Sequence, residues 1–293
     1  WLVLKKDDQT FGTTLPDSIG GVVPKKGDKF VLLNIEMPQK YIDSGLEVKS
    51  ADLSLPISRP WEIFSRIKSF RKICDDVKPD IIHCNDWQTA LVPVFLHAFY
   101  HKELGNAKTV FTIHNIEYQG KCDPYFIGDT LGLYPDYEST LMYDGCVNFL
   151  KAAVLKSDAI TTVSNTYMKE LAFPYYSHGL SDIINEHSFK AEGIVNGINT
   201  EIFDPKTDSA LFANYGLEDV KVGKAKNKEA LQKMLGLNTD KDAALIGMVS
   251  RLVSHKGLDL ITARLDEIFK DLKKVLLKEY FFYEEKRFSL VFC

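Results

Sequence analysis

Residues 109–120 read TVFTIHNIEYQG. Thr109–His114 is a run of β-branched and aromatic residues, the composition of a buried strand. It stops at an imidazole followed at once by a carboxamide, His114-Asn115. The same event recurs in IIHCNDWQ (81–88) and in EGIVNGIN (192–199). Apolar strands that end in polar side chains fit a doubly wound sheet, which binds ligands beyond the carboxyl ends of its strands.

The flanking segments extend the pattern. FVLLNIE (30–36), DIIHCN (80–85), TVFTIH (109–114), AITTVS (159–164) and EGIVNG (192–197) read as strands. WEIFSRIKSFRKICDDV (61–77) places Ile63, Ile67, Phe70, Ile73 and Cys74 on one face at a helical period. Helices are also expected at Thr89–His101, with Pro93 near its start or kinking it, at Val147–Lys156 and at Asn165–Leu171. Strands that are continuously apolar and alternate with helices belong to a parallel sheet covered on both faces. The fold expected is therefore α/β, with a Rossmann-like parallel sheet. His83–Asp86, His114–Asn115, Ser164 and Asn196-Gly197 then fall on one rim.

A basic, helix-prone segment, 221–242, reads as a connection. A new strand follows at ALIGMVSR (244–251), then LVSHKGLDLI and a helix from about Gly257. The domain boundary is drawn there: 1–240 as the amino-terminal Rossmann-like domain, 241–293 as the start of a second one. One β-α unit cannot bury its own core, since a domain needs more than about 50 residues. The second domain is expected to be incomplete, or its tail to fold back on the first. The absence of an initiator Met reads as the mark of a fragment.

Composition narrows the function. With 45% hydrophobic and 26% charged residues the chain has the make-up of a soluble globular protein, and a net charge of −4 offers no general attraction to nucleic acid or anionic membrane. No apolar run approaches the ~20 residues of a membrane span, and WLVLKKDDQT lacks the layout of a signal peptide. Five cysteines without a CxxC point to buried free thiols in a reducing compartment. His97 and His101 are four apart, but Ala98 stands where a zinc protease carries Glu, so no metal site is expected.

The rim residues His, Asn, Asp, Trp and Gln supply neutral donors and acceptors with one aromatic plate, a mixture suited to a polyhydroxyl ligand. Arg251 and Lys256 follow a strand and precede a helix, as a diphosphate site requires. Neither a Walker loop nor a strand-following GxGxxG is present, which disfavours NAD. Each residue also has a plainer reading. His83 fits a structural core imidazole, Asp86 an N-cap for the next helix, Trp87 and Tyr118 packing, and Asn196-Gly197 a turn.

Five blocks carry a resemblance: PDIIHCNDWQTALVP, TVFTIHNIEYQG, FLKAAVLKSDAITTVSNTY, GIVNGINTEIFDPKTD and VSRLVSHKGLDLI. In order and spacing they resemble the bacterial glycogen synthase and plant starch synthase family. The resemblance implies two Rossmann-like domains of the glycosyltransferase-B type and retaining transfer of glucose from ADP-glucose to the non-reducing end of an α-1,4-glucan. No cofactor or metal is implied; ADP-glucose is a substrate. By that similarity His114 and Asp86 belong to the catalytic centre, with Trp87, Asn115 and Tyr118 on the acceptor side. Arg251, Lys256, Asn196 and Gly197 belong to the donor side, with the two cations on the diphosphate. Gln88 stands where many relatives carry His. The family's Lys-Thr-Gly-Gly-Leu loop has only a partial counterpart in SIGGVVPKKG (18–27), and its late Glu pair is not matched. This chain alone is therefore expected to be weakly active or inactive, in a bacterial cytoplasm or a plastid. The rival readings are a UDP- or GDP-sugar transferase and a non-catalytic glucan-binding remnant.

Overall fold

A computed structural model of the chain describes residues 2–6, 29–34, 47–50, 68, 72, 73, 75, 76, 78–133, 135–198, 200, 203–243, 245–250, 256–271 and 288–292. They divide into two compact units, Trp1–Asn199 and Thr200–Cys293.

The first unit is built on seven strands. Three come early: β1 (Leu2–Lys6), β2 (Lys29–Asn34) and β3 (Glu47–Ser50). Then follow β4 (Ile81–Asn85), a 3-10 turn at Trp87–Thr89, α1 (Leu91–Ala98), α2 (His101–Leu104) and β5 (Lys108–Ile113). A small excursion comprises β6 (Lys121–Cys122), α3 (Phe126–Asp129), α4 (Glu138–Leu141), β7 (Met142–Tyr143) and β8 (Cys146–Asn148). The main sheet resumes after α5 (Phe149–Lys156) with β9 (Ala159–Thr162), α6 (Asn165–Glu170), α7 (Ser181–Glu186) and β10 (Ala191–Gly193).

The sheet order is β10-β9-β5-β4-β1-β2-β3. β4, β5, β9 and β10 run parallel, with Ile81 opposite Lys108, Val110 opposite Ala159 and Ala191 opposite Ile160. This is the expected α/β parallel sheet, with one difference: β1 is antiparallel to both β4 and β2. Strand direction leaves no trace in apolar periodicity, so the reversal was not readable.

The core explains the apolar runs. Ile82 and Cys84 of β4, Phe111 and Ile113 of β5 and Ile160 of β9 are buried together with Leu91, Val94 and Phe95 of α1. α5 packs on α1, and its residues 149–154 are all buried. A helix apolar all round belongs inside a molecule. Its buried cation, Lys151, gives Nζ–H bonds to the carbonyls of Ser139 (2.7 Å) and Met142 (2.8 Å). Burial lowers its pKa, while Glu186 acts in the opposite sense.

Val147–Lys156 is not one helix. Asp144 (φ 49) and Gly145 (φ 75) form a two-residue hairpin turn with both residues left-handed, which turns Cys146–Asn148 into β8 against Met142–Tyr143. The helix starts at Phe149, capped by the Asn148 side chain accepting from Lys151 N at 2.9 Å. Thr89–His101 is likewise divided into the 3-10 turn, α1 and α2, with Pro93 in the first turn of α1. EGIVNG is strand only to Gly193. Ile194 N still reaches the Thr162 carbonyl at 2.8 Å, but Val195 and Ile198 are exposed.

The second unit holds α8 (Val220–Met234), β11 (Ile246–Ser250), α9 (Leu258–Asp271) and β12 (Phe288–Phe292). α8 is tied to its own unit: Asn227 bonds the backbone of Ala213, and Lys228 Nζ bonds the carbonyls of Lys241 and Ala243. This unit therefore begins about forty residues before the 240/241 line drawn from sequence. β12 pairs antiparallel with β11, so the end of the tail joins the second unit. The helix expected over 61–77 is helical at its described positions, 68, 72, 73, 75 and 76. SIGGVVPKKG, Arg251 and most of the tail lie outside the described residues.

Candidate functional site

The carboxyl ends of β4 and β5 are adjacent, so the residues that follow them meet. Asp86, directly after β4, has φ 56 and ψ 176, backbone that non-glycine residues avoid at a cost of about 1–3 kcal/mol. Its surroundings hold it there. Asp86 N–H donates to the Thr112 carbonyl at 3.0 Å, and the Asp86 carbonyl accepts from Thr89 N at 3.1 Å. Asp86 Oδ1 accepts from the backbone N–H of His114 at 2.8 Å. The side chain makes no capping bond to the following turn, so the N-cap reading does not describe it.

The His114 ring is placed by a second bond across the same two strands. Its Nε2 stands 2.9 Å from Asn85 Oδ1. With the proton on Nε2, Nδ1 is the ring's acceptor. Burial lowers the pKa of His114, partly opposed by the Asp86 carboxylate, and the imidazole is neutral near pH 7. One layer deeper, His83 Nε2 stands 2.6 Å from Thr112 Oγ1, which in turn bonds Thr161 Oγ1. This buried chain crosses β4, β5 and β9. Desolvation, then the neighbouring His114, bring the His83 pKa down to about 4.

The loop after β5 is fixed locally. Asn115 Oδ1 accepts from Glu117 N at 2.9 Å, an Asx turn, and Tyr167 Oη accepts from Ile116 N at 3.0 Å. Tyr118 is exposed, while Gln119 is buried between Asn148 and the His178 carbonyl. Gly120 lies against the Trp87 indole: a Cβ there would stand 2.6 Å from Trp87 Cε3. Trp87 is thus half-buried, with one part of its ring packed on the core. Asn196 and Gly197, beyond β10, are exposed two strands away from β5 in the sheet order. In the second unit Lys256 is exposed and stands just ahead of α9, after which Gly257 turns at φ +68.

The structure therefore brings His114, Asp86, Trp87, Asn115 and Tyr118 to one rim, formed by the ends of two adjoining strands. Sequence reasoning put Asn85 on the rim within His83–Asp86 without giving it a role, and missed Tyr167; these two hold the imidazole and its loop. Asn85 was within reach as the last residue of an apolar strand; Tyr167 sits 51 residues from its partner and left no local signal.

Comparisons with known proteins bear on the same segment. Residues 62–186 match the model of the starch synthase catalytic domain. Over this segment the chain is similar to the glycogen and starch synthase family. It is 42% identical over 216 residues to a glycogen synthase of Streptococcus agalactiae, covering 72% of this chain and 45% of that protein. It is 45% identical over 201 residues to one of Clostridium acetobutylicum, covering 67% and 42%. Among solved structures, the catalytic domain of starch synthase IV from Arabidopsis thaliana, bound to ADP and acarbose, superposes with a TM-score of 0.61 at 37% identity. That match covers 71% of this chain and 44% of the other. The chain thus spans less than half the length of the curated relatives it matches. Family and fold agree: a Rossmann-like α/β sheet of the glycosyltransferase-B type carries the rim.

Proposed function

We propose that this chain carries the acceptor side and part of the catalytic centre of a retaining glucosyltransferase. Glucose passes from ADP-glucose to the non-reducing end of an α-1,4-glucan. The observation that carries the reading is the pairing of Asp86 and His114 across two parallel strand ends in a chain similar to this family. A neutral imidazole suits the task, because a charged one would oppose the positive charge that develops on the glucosyl carbon. Trp87, Asn115 and Tyr118 sit where a glucan chain end would approach, and Asn196 and Gly197 border the same rim. Arg251 and Lys256 are assigned to the diphosphate, whose charge rises as ADP leaves. No metal or other cofactor takes part in the proposed step. The nucleotide and the carbohydrate are supported in class by the ADP and acarbose of the starch synthase IV neighbour. The bacterial relatives favour a cytoplasmic setting.

The test is transfer of labelled glucose from ADP-glucose onto glycogen by the purified chain, together with its retardation in glycogen-containing gels. Transfer is expected to be weak, insensitive to EDTA, lower with UDP-glucose and lost in His114→Ala. Lys256→Ala is expected to weaken ADP-glucose binding by about tenfold in calorimetry, the worth of one charge-assisted contact. A chain that neither transfers glucose nor is retarded by glycogen refutes the proposal, and unchanged binding by Lys256→Ala removes that residue from the donor site.

A further inference from the structure

The first unit has a cleft at the edge of its sheet opposite the rim, where its parallel strands begin. A cleft of about 220 Å³ opens where β5 and β9 begin, lined by His97, His101, Lys108, Lys156, Ser157 and Asp158 among others. We propose that it binds the phosphate group of a small anion, either the free ion or a monoester.

Ser157 supplies the first argument. Its residue is 3% exposed, and its Oγ is the one buried side-chain oxygen or nitrogen among the described residues with no hydrogen-bond partner. Such a hydroxyl carries an uncompensated desolvation cost when nothing answers it. The second argument is charge. The only lining carboxylate among the described residues, Asp158, is already filled: it accepts from Lys108 Nζ at 2.9 Å, Thr109 N at 2.9 Å and Thr109 Oγ1 at 3.0 Å. The negative end of α5 is answered as well, since Lys190 Nζ donates to the carbonyls of Leu155 (3.3 Å) and Ser157 (2.6 Å). Among the described residues Lys156 is left without a carboxylate partner. Its Nζ stands 5.4 Å over the Tyr137 ring, whose Oη lies 2.8 Å from His97 Nδ1. The His97 and His101 rings stack at 6.5 Å and 14° beside it. Burial, then Lys156 and then His101, all lower the pKa of His97, as expected where positive charge has gathered.

Two lining ammonium groups, Lys108 and Lys156, against one satisfied carboxylate repel a metal cation and attract an anion. A cleft below the ~300–1,000 Å³ of drug-sized sites selects a small one. Ser157 Oγ and Lys156 Nζ donate to tetrahedral oxygens, and His97 and His101 supply further N–H groups.

The experiment titrates the isotope-labelled full chain with inorganic phosphate, and separately with glycerol 3-phosphate, following the His97 and His101 ring signals by NMR. Saturable shifts of both rings are expected. Ser157→Ala and Lys156→Gln should each weaken the affinity by about tenfold, whereas Lys256→Ala should leave it intact, which separates this cleft from the proposed diphosphate site. Ser157→Ala should unfold no more readily than the parent without phosphate, because it removes an unanswered hydroxyl; a purely structural serine would lower stability. A preference for glycerol 3-phosphate identifies a monoester, and equal affinity identifies the ion. No saturable shift, or shifts unaffected by both Ser157→Ala and Lys156→Gln, overturns the proposal.

Discussion

Replacing Gly120 by alanine measures how firmly the Trp87 indole is seated beside Asp86. Gly120 has φ +64, and an added Cβ would stand 2.6 Å from Trp87 Cε3, 2.9 Å from Phe149 Cδ2 and 3.1 Å from Trp87 Cδ2. The substitution brings two penalties. Left-handed backbone costs an alanine about 1–2 kcal/mol, and forcing a methyl between two packed rings adds about 1–3 kcal/mol. Gly132 separates them, because it also has φ +64 but nothing within 4 Å of its added Cβ. Gly132→Ala should therefore lose about 1–2 kcal/mol, from the backbone alone. Gly120→Ala should lose about 1–3 kcal/mol more than that. Urea unfolding of parent and both variants, followed by tryptophan fluorescence and far-UV circular dichroism, gives the comparison at a common slope. The near-ultraviolet tryptophan spectrum should change only in Gly120→Ala. Equal losses in the two variants would show that the indole moves aside freely and that the wall under the rim is soft.

Other outcomes follow from the buried polar groups. The folded pKa of His83, about 4, lies below its ordinary value of 6.5, so its contribution is complete above pH 6.5 and is lost as the pH falls toward 4. Unfolding free energy at pH 4 should be lower by about 3 kcal/mol on this account, and His83→Gln should remove that part of the slope when denaturation is compared at pH 7 and pH 4.5. Lys151→Met should destabilise the first unit by about 1–3 kcal/mol in thermal unfolding, because it strands the carbonyls of Ser139 and Met142. Asn148→Ala should remove both the N-cap of α5 and the buried bond to Gln119 Oε1, at a cost of about 2–3 kcal/mol, and serine at the same place should restore only the cap's share, about 1 kcal/mol.

How far the fold was legible depended on what each element had to bury. β4, β5 and β9 were readable within two residues because they are short, apolar and enclosed, and a polar pair marks where two of them end. β10 was overextended, since Ile194–Ile198 keeps an apolar pattern while it leaves the sheet and becomes exposed. The start of α5 was misplaced although Asp144-Gly145 announces a hairpin in the sequence; helical periodicity over 147–156 outweighed that signal. At the rim, His114 and Asp86 were legible from position alone. The bonds that unite them were not, because backbone N–H groups and partners 28 or 29 residues away carry no local imprint.

The bond from His114 N to Asp86 Oδ1 and the return bond from Asp86 N to Thr112 O have a mechanical consequence. Two loop roots latched to each other in both directions travel as a single block. Under the function proposed above, a glucan end that pushed on one would displace the other by the same amount, so the spacing between Trp87 and the His114 imidazole would act as a rigid gauge. On that proposal, adjustment to different acceptors would fall to the exposed Tyr118 and not to the latched pair.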